Sequence, residues 1–173
     1  NIVWIGAYTG LYKLNGTAWT RYNDFMNTIW VNDLEIDNEN IWVATNSGIV
    51  RLTNGIFEYF PDSIYNYQTN LVSSVEKDHL NNIWFCHLNT SNARNGVSYY
   101  NGNIFSKYNL GSNLNAMNHI AIDNQNNKWI ATNEGLFRFS SNNMQSVYSR
   151  ANAPITSDKI SCTAVAEDGV LWI

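Results

Sequence analysis

The chain has 173 residues, 45% of them hydrophobic and 14% charged, and 14 acidic against 10 basic side chains leave a formal charge of −4. Such a length can bury a substantial core as one domain, and the acidic balance without a basic stripe argues against a nucleic-acid partner. No apolar run is long enough to cross a bilayer, so no membrane insertion by this segment is expected, and Asn1 opens directly on a strand pattern with no signal-peptide-like stretch ahead of it, as in a mature or trimmed segment.

Period-two alternation bounded by turn residues predicts strands throughout and no helix. A first set covers 2–8, 10–15 and 17–23. Three full sets of four, named A to D, follow at 31–37, 41–45, 48–53 and 55–60; at 72–78, 82–88, 96–101 and 103–109; and at 116–123, 128–133, 135–140 and 144–149. An A strand at 159–166 and the start of a B strand close the pattern. The 29 asparagines replace surface charge and suit the many tight turns, because asparagine tolerates positive φ.

The B strands carry a recurring tryptophan. Trp4, Trp42, Trp84, Trp129 and Trp172 are separated by 38, 42, 45 and 43 residues, each inside an apolar run such as Ile41-Trp42-Val43-Ala44. A period of about 40 to 45 marks a repeat built from four-stranded units. Acidic turns precede the tryptophans at 37–40, 78–82, 123–127 and 167–169, and a glycine opens strand C six residues after the tryptophan in three copies. In the third copy the glycine, Gly96, comes twelve residues after Trp84, so that copy holds an insertion at 89–95.

Four short strands joined by tight turns and repeated around an axis describe an all-β propeller of four-stranded antiparallel blades. Blade portions fall at 1–30, 31–71, 72–115, 116–158 and 159–173. Each blade stacks its apolar faces on its neighbours, and a tryptophan in mid-blade is placed for that contact, so all five repeat tryptophans are expected in the inter-blade core. The tryptophan motif is present at both ends, which reads as a window of about four blades on a larger ring, with a closed four-bladed ring as the alternative. Cys86 and Cys162 fall at different strand positions and are expected as two buried small hydrophobes without a disulfide.

The segments 41–52 and 128–139 share tryptophan, a short aliphatic, alanine-threonine, two variable residues, glycine-aliphatic, then a basic residue beside an aliphatic or aromatic one. That setting resembles the two-component regulator propeller repeat; the copy at Cys86-His87-Leu88 departs from it. The resemblance implies seven-bladed propellers in the periplasmic part of hybrid two-component sensors of Bacteroidetes-like bacteria, which respond to glycans or their breakdown products. It equally implies secreted or surface proteins with no kinase, acting as scaffolds for protein ligands. A periplasmic or extracellular location follows from either.

In a blade of alternating strands the A-to-B and C-to-D turns share one face and are short. The B-to-C and D-to-A connections share the other and include every long one: 24–30, 61–71, 89–95, 110–115 and 150–158. Function is grafted where loops are long, so the ligand face is expected there. Trp30, Tyr65 and Tyr67 offer rings to the flat face of a pyranose, Asn89 and Asn92 offer donors, and Arg94 can engage a carboxylate or sulfate in a fork.

Catalysis has little support. His79, His87 and His119 occupy different strand positions without metal-ligand spacing, and Asp37, Asp78 and Asp123 lack the dense alternating carboxylates a hard cation needs; they are expected to satisfy turn amides. Asp33, Glu35 and Glu76 on inner strands follow no shared plan for paired-carboxylate chemistry. No metal, no cofactor and no enzymatic activity are expected.

Overall fold

A computed structural model describes residues 2–22, 29–65, 70–88, 96–108, 116–140 and 145–173. Seventeen strands form five antiparallel sheets among them. The first sheet has β1 (Ile2–Ala7), β2 (Gly10–Asn15) and β3 (Ala18–Tyr22). Three four-stranded sheets follow: β4 (Val31–Asp37), β5 (Asn40–Thr45), β6 (Gly48–Thr53) and β7 (Ile56–Phe60); β8 (Val72–Lys77), β9 (Ile83–His87), β10 (Gly96–Tyr100) and β11 (Phe105–Tyr108); β12 (Met117–Ile122), β13 (Lys128–Thr132), β14 (Gly135–Phe139) and β15 (Gln145–Tyr148). The fifth is a two-stranded pair of β16 (Ala164–Val165) and β17 (Leu171–Trp172). Every pairing joins chain neighbours, as tight antiparallel turns require.

Two details depart from the expected elements. A single helical turn, α1 (Asp62–Tyr65), follows Pro61, where a proline with its preset φ can open a helix and the Tyr65 N–H reaches the Pro61 carbonyl at 3.1 Å. The fourth A strand, expected over 159–166, forms a ladder only at Ala164–Val165, since its partner β17 is two residues long.

Successive sheets adjoin through their inner strands β4, β8, β12 and β16, and the arc does not close on itself. Each of the three long inner strands carries a β-bulge at its second residue, Asn32, Ser73 or Asn118. The bulge turns that side chain toward the next sheet. Asn32 Nδ2 donates to the Val72 carbonyl at 2.7 Å, Ser73 Oγ to the Met117 carbonyl at 2.5 Å and Asn118 Nδ2 to the Ile160 carbonyl at 2.7 Å. The same polar staple therefore recurs at three junctions.

Between the staples lies apolar packing. Trp42 and Phe60 of the second sheet pack against Val72, Val75, Ile83 and Phe85 of the third, and Trp84 packs against Met117, Ile130 and Phe139 on the fourth. Trp42 is 2% and Trp84 6% exposed. Trp4 and Trp129 are half-buried in the equivalent junctions with Val31 and Ile160. Trp172 departs from the expected core and stands 66% exposed. A cation stacks on three indoles from the paired residue of the neighbouring strand: Lys13 over Trp4, Arg51 over Trp42 and Arg138 over Trp129, at 5.4, 5.1 and 5.4 Å from the ring centroids. That contact accounts for the basic residue of the repeat. In the third copy Tyr99 takes the position and stacks on Trp84 at 4.8 Å.

The turn before β9 shows why the acidic residue recurs. Asp78 Oδ1 accepts the N–H groups of Leu80 and Asn82, and Oδ2 accepts the Trp84 indole N–H at 2.8 Å. Asp123 repeats this with Gln125, Asn127 and Trp129, again 2.8 Å from the indole. The aspartates thus satisfy turn amides and also orient the indole six residues on. In the second sheet the turn is one residue shorter, so Asp37 bonds Asn38 and Lys77 while Trp42 Nε1 is buried without a partner. In the fifth, Ala166 and Val170 make the backbone bonds that Asp78 and Asn82 make in the third. The acidic pair Glu167-Asp168 is displaced by one position, and Trp172 loses the carboxylate that holds its counterparts.

Both cysteines are free. Cys86 is buried, and burial pushes its thiol pKa up, whereas Cys162 is exposed, contrary to the expected burial of both.

Candidate ligand-binding face

Among the described residues, the ends of the B-to-C and D-to-A connections adjoin on one face. The Asn46 N–H donates to the Trp30 carbonyl at 3.2 Å, Leu88 N–H to the Leu71 carbonyl at 2.8 Å and Ile160 N–H to the Thr132 carbonyl at 2.9 Å. Two of the short B-to-C turns are built alike. Thr45 Oγ1 bonds the Gly48 carbonyl and the Ser47 N–H, and Thr132 Oγ1 bonds the Gly135 carbonyl and the Glu134 N–H. Gly135, at φ 124°, lies against the Tyr148 carbonyl, so both its conformation and its surroundings require glycine. Where the third copy departs, buried His87 replaces the threonine and its Nε2 bonds Ser98 Oγ at 2.7 Å.

Of the side chains expected on this face, Trp30 is half exposed and its ring meets only the exposed Tyr8 among the described aromatic side chains, at 4.9 Å and 87°. Tyr65 packs edge-on against Phe60 and Phe105, at 5.1 and 5.4 Å, pinning its connection to the sheets. Tyr67, Asn89, Asn92 and Arg94 lie outside the described residues. Tyr8 is the residue that sequence reading missed. It sits in a two-residue turn between β1 and β2, and only the fold shows that Trp30 reaches it.

A second cluster lies along the inner strands. Asp33 Oδ2 accepts from Ser74 Oγ at 2.6 Å and from the Val75 N–H at 3.0 Å, with His119 Nε2 at 3.9 Å. Glu35 and Glu76, from adjacent inner strands, add two more carboxyls. Burial raises the pKa of Glu35 to about 7, helped by Asp33 and Asp37 and opposed by Lys77. Burial, then the charges of Glu35 and Asp33, raises that of Glu76 to about 8. His79 is far from this group in character, exposed in a turn where its N–H donates to Asn126 Oδ1. Among the described residues no three His, Cys, Asp or Glu side chains converge to hold a metal ion, and no helix is long and apolar enough to cross a membrane.

No protein-family model matches the chain, and no curated protein is detectably similar to it in sequence. Solved structures are similar in shape. The extracellular domain of a protein described as a hybrid two-component system from B. thetaiotaomicron matches with a TM-score of 0.81 at 22% identity, over 99% of this chain and 24% of that one. The chain has a β-propeller fold. Virginiamycin B lyase from Staphylococcus aureus matches with a TM-score of 0.74 at 17% identity, over 95% of this chain and 56% of that one. PorZ, a surface component of the type-IX secretion system of Porphyromonas gingivalis, gives 0.58 at 14%, over 99% and 36%. The chain therefore spans from about a quarter to just over half of these structures.

In the propeller the inner-strand carboxyls have a consequence for stability. Their pKa values are raised above the ordinary 4.5, so the folded state holds extra protons. That contribution is fully present below pH 4.5 and is lost as pH rises through about 7 to 8. Asp78 has the opposite sign: burial pushes it up, but hydrogen bonds from Asn82 and Trp84 and the charge of Lys128 outweigh this and leave it below its usual 3.8. Stability from Asp78 is lost as pH falls below that value. Denaturant titration between pH 6 and 9 should show wild type losing on the order of 1–3 kcal/mol, discounted for partial solvent screening. Glu76→Gln should lose clearly less. Equal slopes for the two proteins would contradict the raised carboxyl.

Proposed function

We propose that this propeller is a non-catalytic extracytoplasmic recognition module of a two-component regulatory protein, with oligosaccharides as its ligands and the long-connection face as its binding surface. The shape match to the extracellular domain from B. thetaiotaomicron over 99% of this chain carries the reading, and the tryptophan-to-glycine repeat supports it independently. On the ligand face Trp30 and Tyr65 supply rings, and Tyr67, Asn89, Asn92 and Arg94 are assigned to the same surface by their connections. No nucleic acid, cofactor or metal enters this role.

Calorimetric titration with neutral, acidic and sulfated oligosaccharides tests it. Saturable heat from one class is expected, without conversion of the sugar; silence across all three classes would contradict the reading. A secreted or cell-surface scaffold for protein ligands is the second reading. The match to PorZ over 99% of this chain favours it, and it predicts heat with protein partners and none with sugars.

A further inference from the structure

We propose that Tyr8 and Trp30 together form a corner that stacks one pyranose ring of an oligosaccharide, a subsite that rests on the recognition reading above. Tyr8 is 73% and Trp30 50% exposed, and their rings stand at 87° with centroids 4.9 Å apart. Two adjoining large rings left in water are unfavourable unless something covers them, and the cost is repaid when an apolar surface docks there.

The backbone beneath the rings is braced. Trp30 is held through both backbone groups by one asparagine: its N–H donates to Asn46 Oδ1 at 2.9 Å and its carbonyl accepts the Asn46 N–H at 3.2 Å. Leu71 takes the equivalent place in the next connection, with its carbonyl bonded by Leu88 N–H and its side chain half-buried. The indole at position 30 is therefore a local addition to a repeated frame that does not need it. Beside it the Tyr8 turn is braced by Thr9 Oγ1 on Tyr12 OH at 2.8 Å and by Arg21 Nη2 on the Thr9 carbonyl at 3.0 Å.

A pyranose has one face of C–H groups and a rim of hydroxyls. A corner of two perpendicular rings receives the face by dispersion and apolar contact, and polar groups at its edge receive the rim. Arg21 is exposed and spends one N–H on Thr9, which leaves further donors of its guanidinium beside the turn. Preorganised backbones keep the ordering cost of binding low.

The test uses the whole chain with maltohexaose, cellohexaose, xylohexaose and a galacturonic-acid hexamer, read by calorimetry and by tryptophan fluorescence. The oligosaccharide that binds wild type should lose on the order of tenfold in affinity to Trp30→Ala and several-fold to Tyr8→Ala, while Trp30→Phe retains most of it. Trp19→Ala, on the outer strand β3 and 60% exposed, is the control and should bind as wild type. Unchanged unfolding midpoints would show that the variants are folded. Full affinity in both Trp30→Ala and Tyr8→Ala overturns the corner and leaves oligosaccharide recognition standing. Failure of wild type to bind any of the four overturns the corner and counts against the recognition reading with it.

Discussion

Asp78→Ala should destabilise the protein by about 3–5 kcal/mol, the largest loss expected of any single polar side chain here. The carboxylate is 2% exposed and receives the Trp84 indole, the Asn82 side-chain amide and two turn N–H groups. It also meets Lys128 Nζ across the junction at 3.2 Å, and Lys128 is itself buried over the Trp84 ring. Truncating the acid leaves an ammonium without its counter-charge and an indole N–H without an acceptor. Removing both charges at once is a different matter. The double variant Asp78→Ala with Lys128→Met should recover a large part of the loss, because the uncompensated charge is gone. Asp123→Ala serves as comparison: the same turn and indole are present, but the site is half-buried and among the described residues no lysine pairs with it, so about 1–2 kcal/mol is expected. Chemical denaturation of wild type, Asp78→Ala, Lys128→Met and the double variant gives the cycle, and equal losses for Asp78→Ala and Asp123→Ala would contradict the assigned role of Lys128.

Trp42→Ala is the second large effect, at about 3–5 kcal/mol, from lost burial and the cavity left behind. The indole lies between Phe60, Phe85 and Tyr100 with centroids at 5.6, 5.9 and 5.2 Å, so its removal opens the junction between the second and third sheets. Trp172→Ala should cost under about 0.5 kcal/mol, because its ring is already in water. Phenylalanine separates area from hydrogen bonding. Trp42→Phe removes an N–H that has no partner, whereas Trp84→Phe also strips a donor from Asp78, so the second should be the costlier change. Denaturation midpoints check the order, and a Trp172 variant as damaging as the Trp42 variant would contradict the packing described.

Much of the architecture was legible because a 40-residue period, period-two alternation and turn chemistry agree with one another. The repeat glycines, the buried Trp42 and Trp84 and the four-stranded sheets follow from that agreement. What escaped depends on single-residue offsets. Asp78 and Asp123 stand six residues before their tryptophans and reach the indole, Asp37 stands five before and does not, and Ala166 occupies the equivalent place before Trp172. The spacing was visible in the sequence, yet its meaning needs the turn's backbone bonds. The effect of Glu35 on Glu76 escaped for another reason: the two come from adjacent inner strands, and only the arrangement of those strands around the axis brings one charge to bear on the other. Tyr8 was hidden in the same way, by lying 22 positions from Trp30.

Residue-resolved hydrogen exchange, of amides and indoles together, tests the wedge of tryptophans between successive sheets most directly. Such a wedge predicts the slowest exchange in β5, β9 and β13 and at the Trp84 indole, with the Trp172 indole exchanging freely. Rapid exchange at those three strands, or equal protection of the Trp84 and Trp172 indoles, would contradict it.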